Sequence, residues 1–303
     1  MEDEVDRRNE LFIATEIVFF AIIGGFGNIN LMIIVIKKKD LWSKSSYLTI
    51  LLSASHLFCL LSELQNAIYL FLNIHVRRDQ CYSRIAVYLF VISWQAALML
   101  MIVVDMCVIV FFHVFYKKTA TKTYLTIILT PPIAYGLFIA IGGYFYTNDD
   151  VLEYCNPPLA ITKNFRRIWT QSNVVINTMT LVLFFVLLVY YYNHRKNVHT
   201  RDTRKIVKRL KVSILFFVCT WYLGLLAGEI VEFLNFPDDV KAVVHGNLIT
   251  PVLLSYTQTF YIIIWRSSEF RKTFLELWSW VPGVKKMLKK KNIVMKVSPG
   301  TIS

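Results

Sequence analysis

Long apolar runs separated by short polar segments are the dominant pattern of this sequence. A helix needs about 20 mostly apolar residues to cross the hydrocarbon core of a membrane. Seven runs reach that length, and they span residues 11–36, 47–72, 85–116, 124–146, 168–192, 212–234 and 242–265. They are too long and too unbroken for the alternating strands of a barrel. The pattern therefore predicts an all-α membrane protein, a bundle of seven transmembrane helices.

The basic residues of the polar segments predict how the bundle lies in the membrane. An excess of Lys and Arg marks the cytoplasmic side. With the amino terminus outside, the cytoplasmic segments carry 24 Lys and Arg residues and the extracellular segments carry 8. The sequence therefore predicts an extracellular segment over residues 1–10, a transmembrane domain over 11–265 and a cytoplasmic tail over 266–303.

The tail is predicted to have two parts. Residues 268–280 separate apolar from basic positions, with Phe274 and Trp278 on one side of a helix and Arg271 on another. This pattern is typical of a short amphipathic helix that lies in the membrane interface. The basic stretch KKMLKKK follows, and we expect it to be attracted to anionic lipid.

Composition agrees with a membrane protein. Of the 303 residues, 56% are hydrophobic and 17% are charged, whereas soluble domains are about a quarter charged. The net charge of +13 would suit a nucleic-acid partner only if it formed a folded basic face. The basic residues lie between apolar runs, so we expect membrane lipid, and no nucleic acid, as their partner. The acidic opening MEDEVDRRNE leads us to expect no removable signal peptide.

Two of the five cysteines lie on the predicted extracellular side. Cys81 stands just before the third helix and Cys155 lies in the loop before the fifth, whereas the other three fall within predicted helices. Disulfides persist outside the cell, so we predict a bond between these two that ties the loop to the third helix. Two unrelated free thiols are the alternative.

The sequence shows no pattern of catalytic or metal chemistry. The patterns HExxH, CxxC, GxxxxGKS/T and GxSxG do not occur, and the histidines are scattered singly. These patterns mark zinc proteases, redox or metal sites, phosphate-binding loops and serine hydrolases. We therefore expect no enzymatic activity, no cofactor and no bound metal.

The helix pattern and the cysteine pair resemble the rhodopsin-like G-protein-coupled receptors. The first helix carries the Gly27-Asn28 pair typical of them, Asp105 falls at the usual spacing after the first outer cysteine, and Trp221 lies in the sixth helix. The stretches KDLWSKSSYLTILLS, SWQAALMLMIVVDM, CNPPLA and WRSSEFRKTF resemble the nematode serpentine receptors of class SX. The resemblance covers roughly residues 15–275.

The resemblance implies a chemosensory-type receptor of the plasma membrane. It would bind a small molecule or a peptide in the outer half of the bundle and activate a heterotrimeric G protein through its inner face. Ionisable residues inside a membrane usually face the bundle interior and are functional candidates, so Glu63 is the strongest pocket candidate. The predicted pocket residues are Glu63, Tyr88, Ile92, Ser93, Trp221, Leu225, Glu229 and His245.

Two of these pocket residues carry further expectations. Tyr88 occupies the position where amine receptors place their acidic counter-ion, which argues against a biogenic amine as the ligand. Trp221 resembles the aromatic residue low in the pocket of such receptors. Core packing explains it equally well, because large aromatic side chains fill bundle cores in any case.

A departure from the resemblance changes the expected coupling mechanism. Met106 follows Asp105 where these receptors usually carry Arg, so the ion pair that restrains their inactive state is absent. We assign both residues to the G-protein coupling face, although a solvated helix end would also explain Asp105. A divergent receptor that has lost G-protein coupling is therefore an alternative function.

A second departure concerns the middle of the bundle. His56 stands where these receptors carry an Asp that binds sodium, and an imidazole nitrogen does not replace a hard, charged oxygen ligand. We expect the sodium site to be lost and a polar cluster to replace it, with His56 paired to Gln95. A lone core histidine is the alternative. The cluster residues are Asn28, His56, Gln95, Ser255 and Thr259.

Two other classes of multi-pass protein are less consistent with the sequence. A seven-helix ligand-gated channel would place its amino terminus inside, opposite to the orientation that the charge bias predicts. A transporter should show repeated halves and interrupted helices near the midplane. Neither feature is visible along the chain.

Overall fold

The computed structural model describes residues 2–38, 42–152, 155–193, 218–234 and 247–284, together with positions 212, 216 and 244. These residues are mostly helical. The elements are α1 (Glu2–Lys37), α2 (Lys44–Leu72), β1 (Val76–Arg77), α3 (Arg78–Phe111), α4 (His113–Lys118), α5 (Thr121–Phe145), β2 (Val151–Leu152), α6 (Lys163–Asn193), α7 (Leu223–Phe233), α8 (Ile249–Arg266) and α9 (Ser268–Leu277). A π-helical turn, Val218–Tyr222, leads directly into α7.

Five helices in the described part of the chain are long and apolar enough to cross a membrane, and they lie in α1, α2, α3, α5 and α6. The sixth and seventh predicted spans are described in part, the sixth as the π-helical turn with α7 and the seventh as α8. The basic segments 194–211 and 285–303 lie outside the described residues.

Helix α1 is longer than a bilayer requires. Its 36 residues extend about 54 Å, against about 30 Å of hydrocarbon. The first residues of the chain, predicted as a separate extracellular segment, belong to this helix from Glu2 onward. Arg7 donates to the carbonyl oxygens of Leu70 at 2.6 Å and Phe71 at 2.8 Å. The last carbonyls of a helix have no intrahelical donor, so Arg7 caps the end of α2.

The ends of α2 follow from its local sequence. The Ser43 hydroxyl accepts from the Ser46 backbone N–H at 3.1 Å, as an N-cap residue does. At the other end, Asn73 adopts the left-handed conformation with a φ of 51°. Asparagine tolerates this conformation better than most residues, and it ends the helix by letting the chain turn toward β1.

Helix α3 forms the centre of the bundle. It packs against α2, α5 and α6, while α1 packs against α2 and α8. The approach of α1 depends on Gly24, where a Cβ atom would lie 2.5 Å from Leu60 and 2.6 Å from Thr257. Small residues let helix backbones approach closely in a membrane. Core residues of α2, α3 and α8 then form one apolar cluster, which includes Leu89 and Tyr256.

A disulfide and a short strand pair close one end of the bundle, which we call the disulfide end. The predicted bond between Cys81 and Cys155 is confirmed, with 5.5 Å between the two Cα atoms. It ties the start of α3 to the loop before α6. Beside it, β1 and β2 pair antiparallel with Val76 opposite Leu152, so two cross-links hold this loop over the bundle.

Arg78 organises the loop at the disulfide end. Its guanidinium donates to the Leu159 carbonyl at 3.0 Å, to the Asn148 side chain and to the Asp150 carboxylate at 2.6 Å. Hydrogen bonds from Asn148 and Arg78 hold the pKa of the Asp150 carboxyl below its usual range. Because Asp150 is largely exposed, this ion pair orders the loop more than it stabilises the fold.

Helix α9 packs across the opposite end of the bundle. Ser267 caps the helix by accepting from the Phe270 backbone N–H, and Phe270 is buried among residues of α1 and α8. After the helix, the Trp278 indole N–H donates to Asn30 Oδ1 of α1 at 2.7 Å. The amphipathic segment expected in this region is helical over Ser268–Leu277.

We predict that Cys81→Ser or Cys155→Ser lowers both the thermal stability and the surface expression of the protein. The bond joins positions 74 residues apart, and such a cross-link contributes about 2–4 kcal/mol. Cys107→Ser is the matched control, because Cys107 is a free, half-buried cysteine of α3. Mass mapping without reduction should recover the pair in one linked fragment, and two free thiols would contradict the prediction.

Candidate functional site

A buried carboxylate lies between α2 and α3, toward the disulfide end. Glu63 is only 3% exposed, and Tyr88 donates its hydroxyl to Glu63 Oε1 at 2.5 Å. Asn66, one turn further along α2, donates its amide to Glu63 Oε2 at 3.2 Å. The structure therefore brings two predicted pocket residues from different helices into direct contact.

Aromatic side chains lie beside this carboxylate. Tyr256 of α8 is fully buried and lies within electrostatic reach of Glu63. Its ring centroid is 6.0 Å from that of Trp221, and Ile92 of α3 belongs to the same apolar cluster. The Tyr256 hydroxyl interacts with Tyr88 and Cys59, whereas the Trp221 indole N–H has no hydrogen-bond partner within the described chain. The site thus combines a carboxylate, aromatic walls and one unused donor.

Ser93 connects α3 to α6. Its hydroxyl accepts from the Trp169 indole N–H at 2.9 Å and donates to the Leu89 carbonyl at 2.8 Å. Sequence reasoning selected Ser93 and missed Trp169, because a tryptophan in an apolar run is indistinguishable from ordinary core packing. Ser93 therefore already has a side-chain partner within the bundle, the Trp169 indole of α6.

Buried amides are a second group of residues that sequence reasoning missed. Neither side-chain polar atom of Asn177, on α6, has a partner among the described residues, and the same is true of Asn66 Oδ1. An amide costs less to bury than a charge, so an amide in an apolar run is a weaker indication of a functional site. The available signal was spacing, because residues three apart, such as Glu63 and Asn66, share one helix face.

Three predicted pocket residues fall outside what the structure describes. His245 lies outside the described residues, and so do the side chains of Leu225 and Glu229 in α7. Of the sixth predicted span, Trp221 is the pocket candidate whose side chain is described, and it is buried.

Two residues of the predicted midplane cluster contact backbone. Asn28 donates its amide to the Gly24 carbonyl of its own helix and to the Tyr256 carbonyl of α8, both at 2.9 Å. Ser255 donates to the Val252 carbonyl of its own helix. Asn28 therefore joins α1 to α8, whereas the Ser255 hydroxyl is bonded within α8.

The other three residues of the predicted cluster divide into two separate contacts. His56 Nδ1 lies 3.5 Å from the Thr259 hydroxyl, which joins α2 to α8. Gln95 instead accepts from the Cys59 thiol at 3.6 Å, which joins α3 to α2. The expected pairing of His56 with Gln95 is therefore replaced, because α2 directs Cys59 rather than His56 toward α3.

A second buried carboxylate lies toward the opposite end of the bundle. Asp105 is 0% exposed and accepts from the Ser45 hydroxyl at 2.5 Å and the Tyr124 hydroxyl at 2.6 Å. This burial excludes a solvated helix end. The Lys44 ammonium lies 5.0 Å from the Tyr124 ring centroid and donates to the Thr119 carbonyl at 2.8 Å. Residues of α2, α3 and α5 therefore meet around one carboxylate.

Met106 has different neighbours from Asp105. It is buried in an apolar cluster with Val103 of α3 and with Phe184 and Leu187 of α6. The hydrogen bonds that hold Asp105 come from neutral hydroxyls on other helices. The position of Asp105 is therefore set without an adjacent arginine.

In the part of the chain that the structure describes, no group of three or more His, Cys, Asp and Glu side chains is placed to hold a metal ion. The hydrogen bonds to the two buried carboxylates come from neutral hydroxyl and amide donors.

A family model matches most of the chain. The family described as serpentine type 7TM GPCR chemoreceptor Srsx matches residues 21–278. Among curated proteins, none matches the chain. The matched range contains both buried carboxylates, the disulfide and the two predicted spans that the structure describes in part.

We predict that Tyr124→Phe lowers the free energy of unfolding by about 1–3 kcal/mol, because the buried Asp105 carboxylate loses one hydrogen bond. Tyr144→Phe is the control on the same helix, where the side chain is exposed, and it should change stability by less than about 0.5 kcal/mol. Thermal unfolding of the purified protein in detergent provides the measurement. Equal stability of the two variants would contradict the predicted role of Tyr124.

We also predict that sodium does not stabilise this protein. His56 offers no hard oxygen ligand, and its described partner is the Thr259 hydroxyl. Replacement of sodium by potassium should leave the melting temperature of the wild type unchanged, whereas the melting temperature of His56→Asp should rise with sodium. His75→Asp, at an exposed position, is the control. A wild-type melting temperature that rises with sodium but not with potassium would refute the prediction.

Proposed function

The chain belongs to the Srsx family of serpentine seven-transmembrane G-protein-coupled chemoreceptors, and we propose that it is a ligand-activated receptor of the plasma membrane. The family is one of receptors rather than enzymes. A small molecule or a peptide binds toward the disulfide end, around Glu63 and Tyr88, and the end around Asp105 activates a heterotrimeric G protein. The observation that carries this proposal is the family match over residues 21–278.

Helix α3 supplies the physical connection between the two proposed sites. Tyr88 and Asp105 are 17 residues apart, which is about 26 Å along a helix. A ligand shifts an equilibrium only if it binds the two states with different affinities. A ligand that competes for the Tyr88 hydroxyl favours a different position of α3. Such a shift of α3 changes the contacts of Asp105 with Ser45 and Tyr124.

A second connection runs through aromatic rings. The Tyr256 ring lies between Trp221 and His56, with centroid distances of 6.0 Å and 5.7 Å. Trp221 itself lies in the π-helical turn Val218–Tyr222, and such turns often occur at functional sites. A ligand that moves Tyr256 therefore acts on α2 and on the start of α7 together.

The proposed coupling does not require an arginine after Asp105. Hydroxyl groups of α2 and α5 hold the Asp105 carboxylate, and we propose that these bonds restrain the inactive state in place of the usual ion pair. Met106 favours a competing function, a receptor that binds its ligand but has lost coupling. The coupled receptor and the receptor without coupling differ in whether ligand binding stimulates nucleotide exchange.

The proposed orientation places the disulfide end outside the cell. It is supported by the bond itself, since disulfides persist in oxidising compartments, and by the 24 to 8 distribution of Lys and Arg. In this orientation the amino terminus is extracellular and the carboxyl terminus is cytoplasmic. Antibody staining of an amino-terminal epitope on intact cells tests it, and staining that requires permeabilised cells would reverse it.

Nucleotide exchange is the direct test of the proposed function. The purified chain in lipid nanodiscs is combined with heterotrimeric G proteins of each class, and uptake of a non-hydrolysable GTP analogue is measured with candidate odorants and peptides. Ligand-stimulated exchange above that of receptor-free discs supports the proposal. A chain that ligands stabilise but that stimulates no G protein would establish a receptor without coupling.

We predict that Met106→Arg lowers ligand-independent nucleotide exchange, because a guanidinium beside Asp105 adds an ion pair to the two hydroxyl bonds. Met106→Leu is the control, since it keeps apolar contact with Phe184 and Leu187 at similar volume. If the natural chain has lost coupling, the arginine variant instead creates ligand-stimulated exchange where the wild type shows none. Unchanged exchange in both conditions would remove this position from the mechanism.

A further inference from the structure

Glu63 is a buried carboxyl group that has no basic side chain beside it in the described part of the chain. Its two hydrogen bonds come from neutral donors, the Tyr88 hydroxyl and the Asn66 amide. Arg84, one turn before Tyr88 on α3, is exposed and donates to the Tyr69 hydroxyl instead. An ionised carboxylate buried without a cation is costly, so a binding partner that brings a positive charge gains strongly at this position.

Two other carboxylates that are described within the membrane spans, Asp105 and Glu16, have different surroundings. Asp105 lies within electrostatic reach of the Lys44 ammonium in addition to its two hydroxyl donors. Glu16 of α1 is only half-buried and accepts from the Thr250 hydroxyl at 2.8 Å. Among the described residues of these helices, Glu63 therefore stands out as a deeply buried acid without a basic neighbour.

Asn66 provides a second and independent observation. It is 5% exposed, its amide nitrogen is used by Glu63, and its Oδ1 has no partner in the described structure. A carboxylate offers about four lone-pair positions, of which the hydrogen bonds from Tyr88 and Asn66 occupy two in Glu63. The site therefore presents unused acceptors on two adjacent side chains, and a ligand that donates hydrogen bonds satisfies them.

The rings around Glu63 suit an organic cation. Tyr88 and Tyr256 lie next to the carboxylate, with Trp221 beyond Tyr256, and aromatic faces attract positive charge. A bare metal ion is disfavoured, because Mg²⁺ and Ca²⁺ prefer six or more oxygen ligands and Ile92 contributes only apolar surface. An ammonium group on a carbon skeleton matches both the charge and the walls.

The expectation against an amine ligand rested on Tyr88 alone. The structure places the Glu63 carboxyl group 2.5 Å from the Tyr88 hydroxyl, so α2 brings an acidic side chain to the level at which α3 has none. We propose that the ligand is a small protonated amine with at least one N–H group, that Glu63 is its counter-ion and that Asn66 Oδ1 accepts from it. This inference rests on the proposed receptor function and names the chemical class of its ligand.

Binding is tested on the purified full-length protein by thermal unfolding. The probes are aliphatic and aromatic primary amines, such as hexylamine and phenethylamine, each paired with the alcohol and the carboxylate of the same carbon skeleton. At least one amine should raise the melting temperature of the wild type, and its alcohol and carboxylate partners should not. Stabilisation by alcohols or carboxylates alone, or by none of the amines, would overturn the proposal.

Variants of Glu63 assign the effect to this carboxylate. Glu63→Gln keeps the size of the side chain but removes its charge and replaces one acceptor oxygen by an NH2 donor, so amine affinity should fall at least about tenfold. Glu63→Asp keeps the charge and should retain measurable amine binding. Amine stabilisation that survives Glu63→Gln would contradict the proposal.

Glu16→Gln is the matched control for loss of a carboxylate between helices. Glu16 lies on α1 and accepts from the Thr250 hydroxyl of α8, away from the contact between α2 and α3, so its neutralisation should leave the amine response unchanged. Loss of the response in this variant as well would assign the effect to general charge and would overturn the site.

Nucleotide exchange separates this inference from the proposed receptor function. Amines that stabilise the wild type and fail in Glu63→Gln, yet stimulate no G protein, would establish the ligand class and refute coupling. Exchange stimulated only by alcohols or carboxylates would establish the receptor and refute the amine.

Discussion

Two buried carboxylates set the register of α2 against α3, one toward each end of the bundle. Glu63 of α2 meets Tyr88 of α3, and Ser45 of α2 meets Asp105 of α3. The two contacts are 18 residues apart on α2 and 17 residues apart on α3. Along each of these antiparallel helices, the distance between the contacts is therefore about 26 Å. Polar groups inside a membrane need partners within the bundle. A slip of one helical turn would break both contacts at once.

For the proposed ligand-activated receptor, this register offers a structural basis for two states. Packed interfaces tend to exchange one discrete arrangement for another rather than deform continuously. Between the two carboxylate contacts, the Cys59 thiol bonds to Gln95, and apolar side chains such as Leu52 of α2 and Leu98 of α3 lie in one buried cluster. In the proposed receptor, a shift of α3 at Tyr88 would have to carry this packed interface with it to reach Asp105. The disulfide end of α3 stays anchored through Cys81.

Features encoded along one segment were predictable from the sequence, and features that depend on helix rotation were not. The family match confirms the seven-helix fold, because a span is recognised from its own length and apolarity. The sequence indicated Glu63 as a pocket candidate, because a charge in an apolar run is costly. It did not indicate Asn66, the partner of Glu63. The burial of Asp105 and the separation of His56 from Gln95 depend on how neighbouring helices are turned toward each other. No single helix carries that information.

The magnitude of the Asp105 contacts bears on whether coupling needs an arginine. Each hydrogen bond to a charged, buried group contributes about 1.5–3 kcal/mol, so the Ser45 and Tyr124 bonds together contribute about 3–6 kcal/mol. A change of about 5.5 kcal/mol converts a 1:99 equilibrium into 99:1. In the proposed receptor, loss of both hydroxyl bonds would therefore be of the same order as the change that a switch requires. A ligand would have to supply a comparable difference in affinity between the two states, and the proposed amine would do so through the Glu63 carboxyl group.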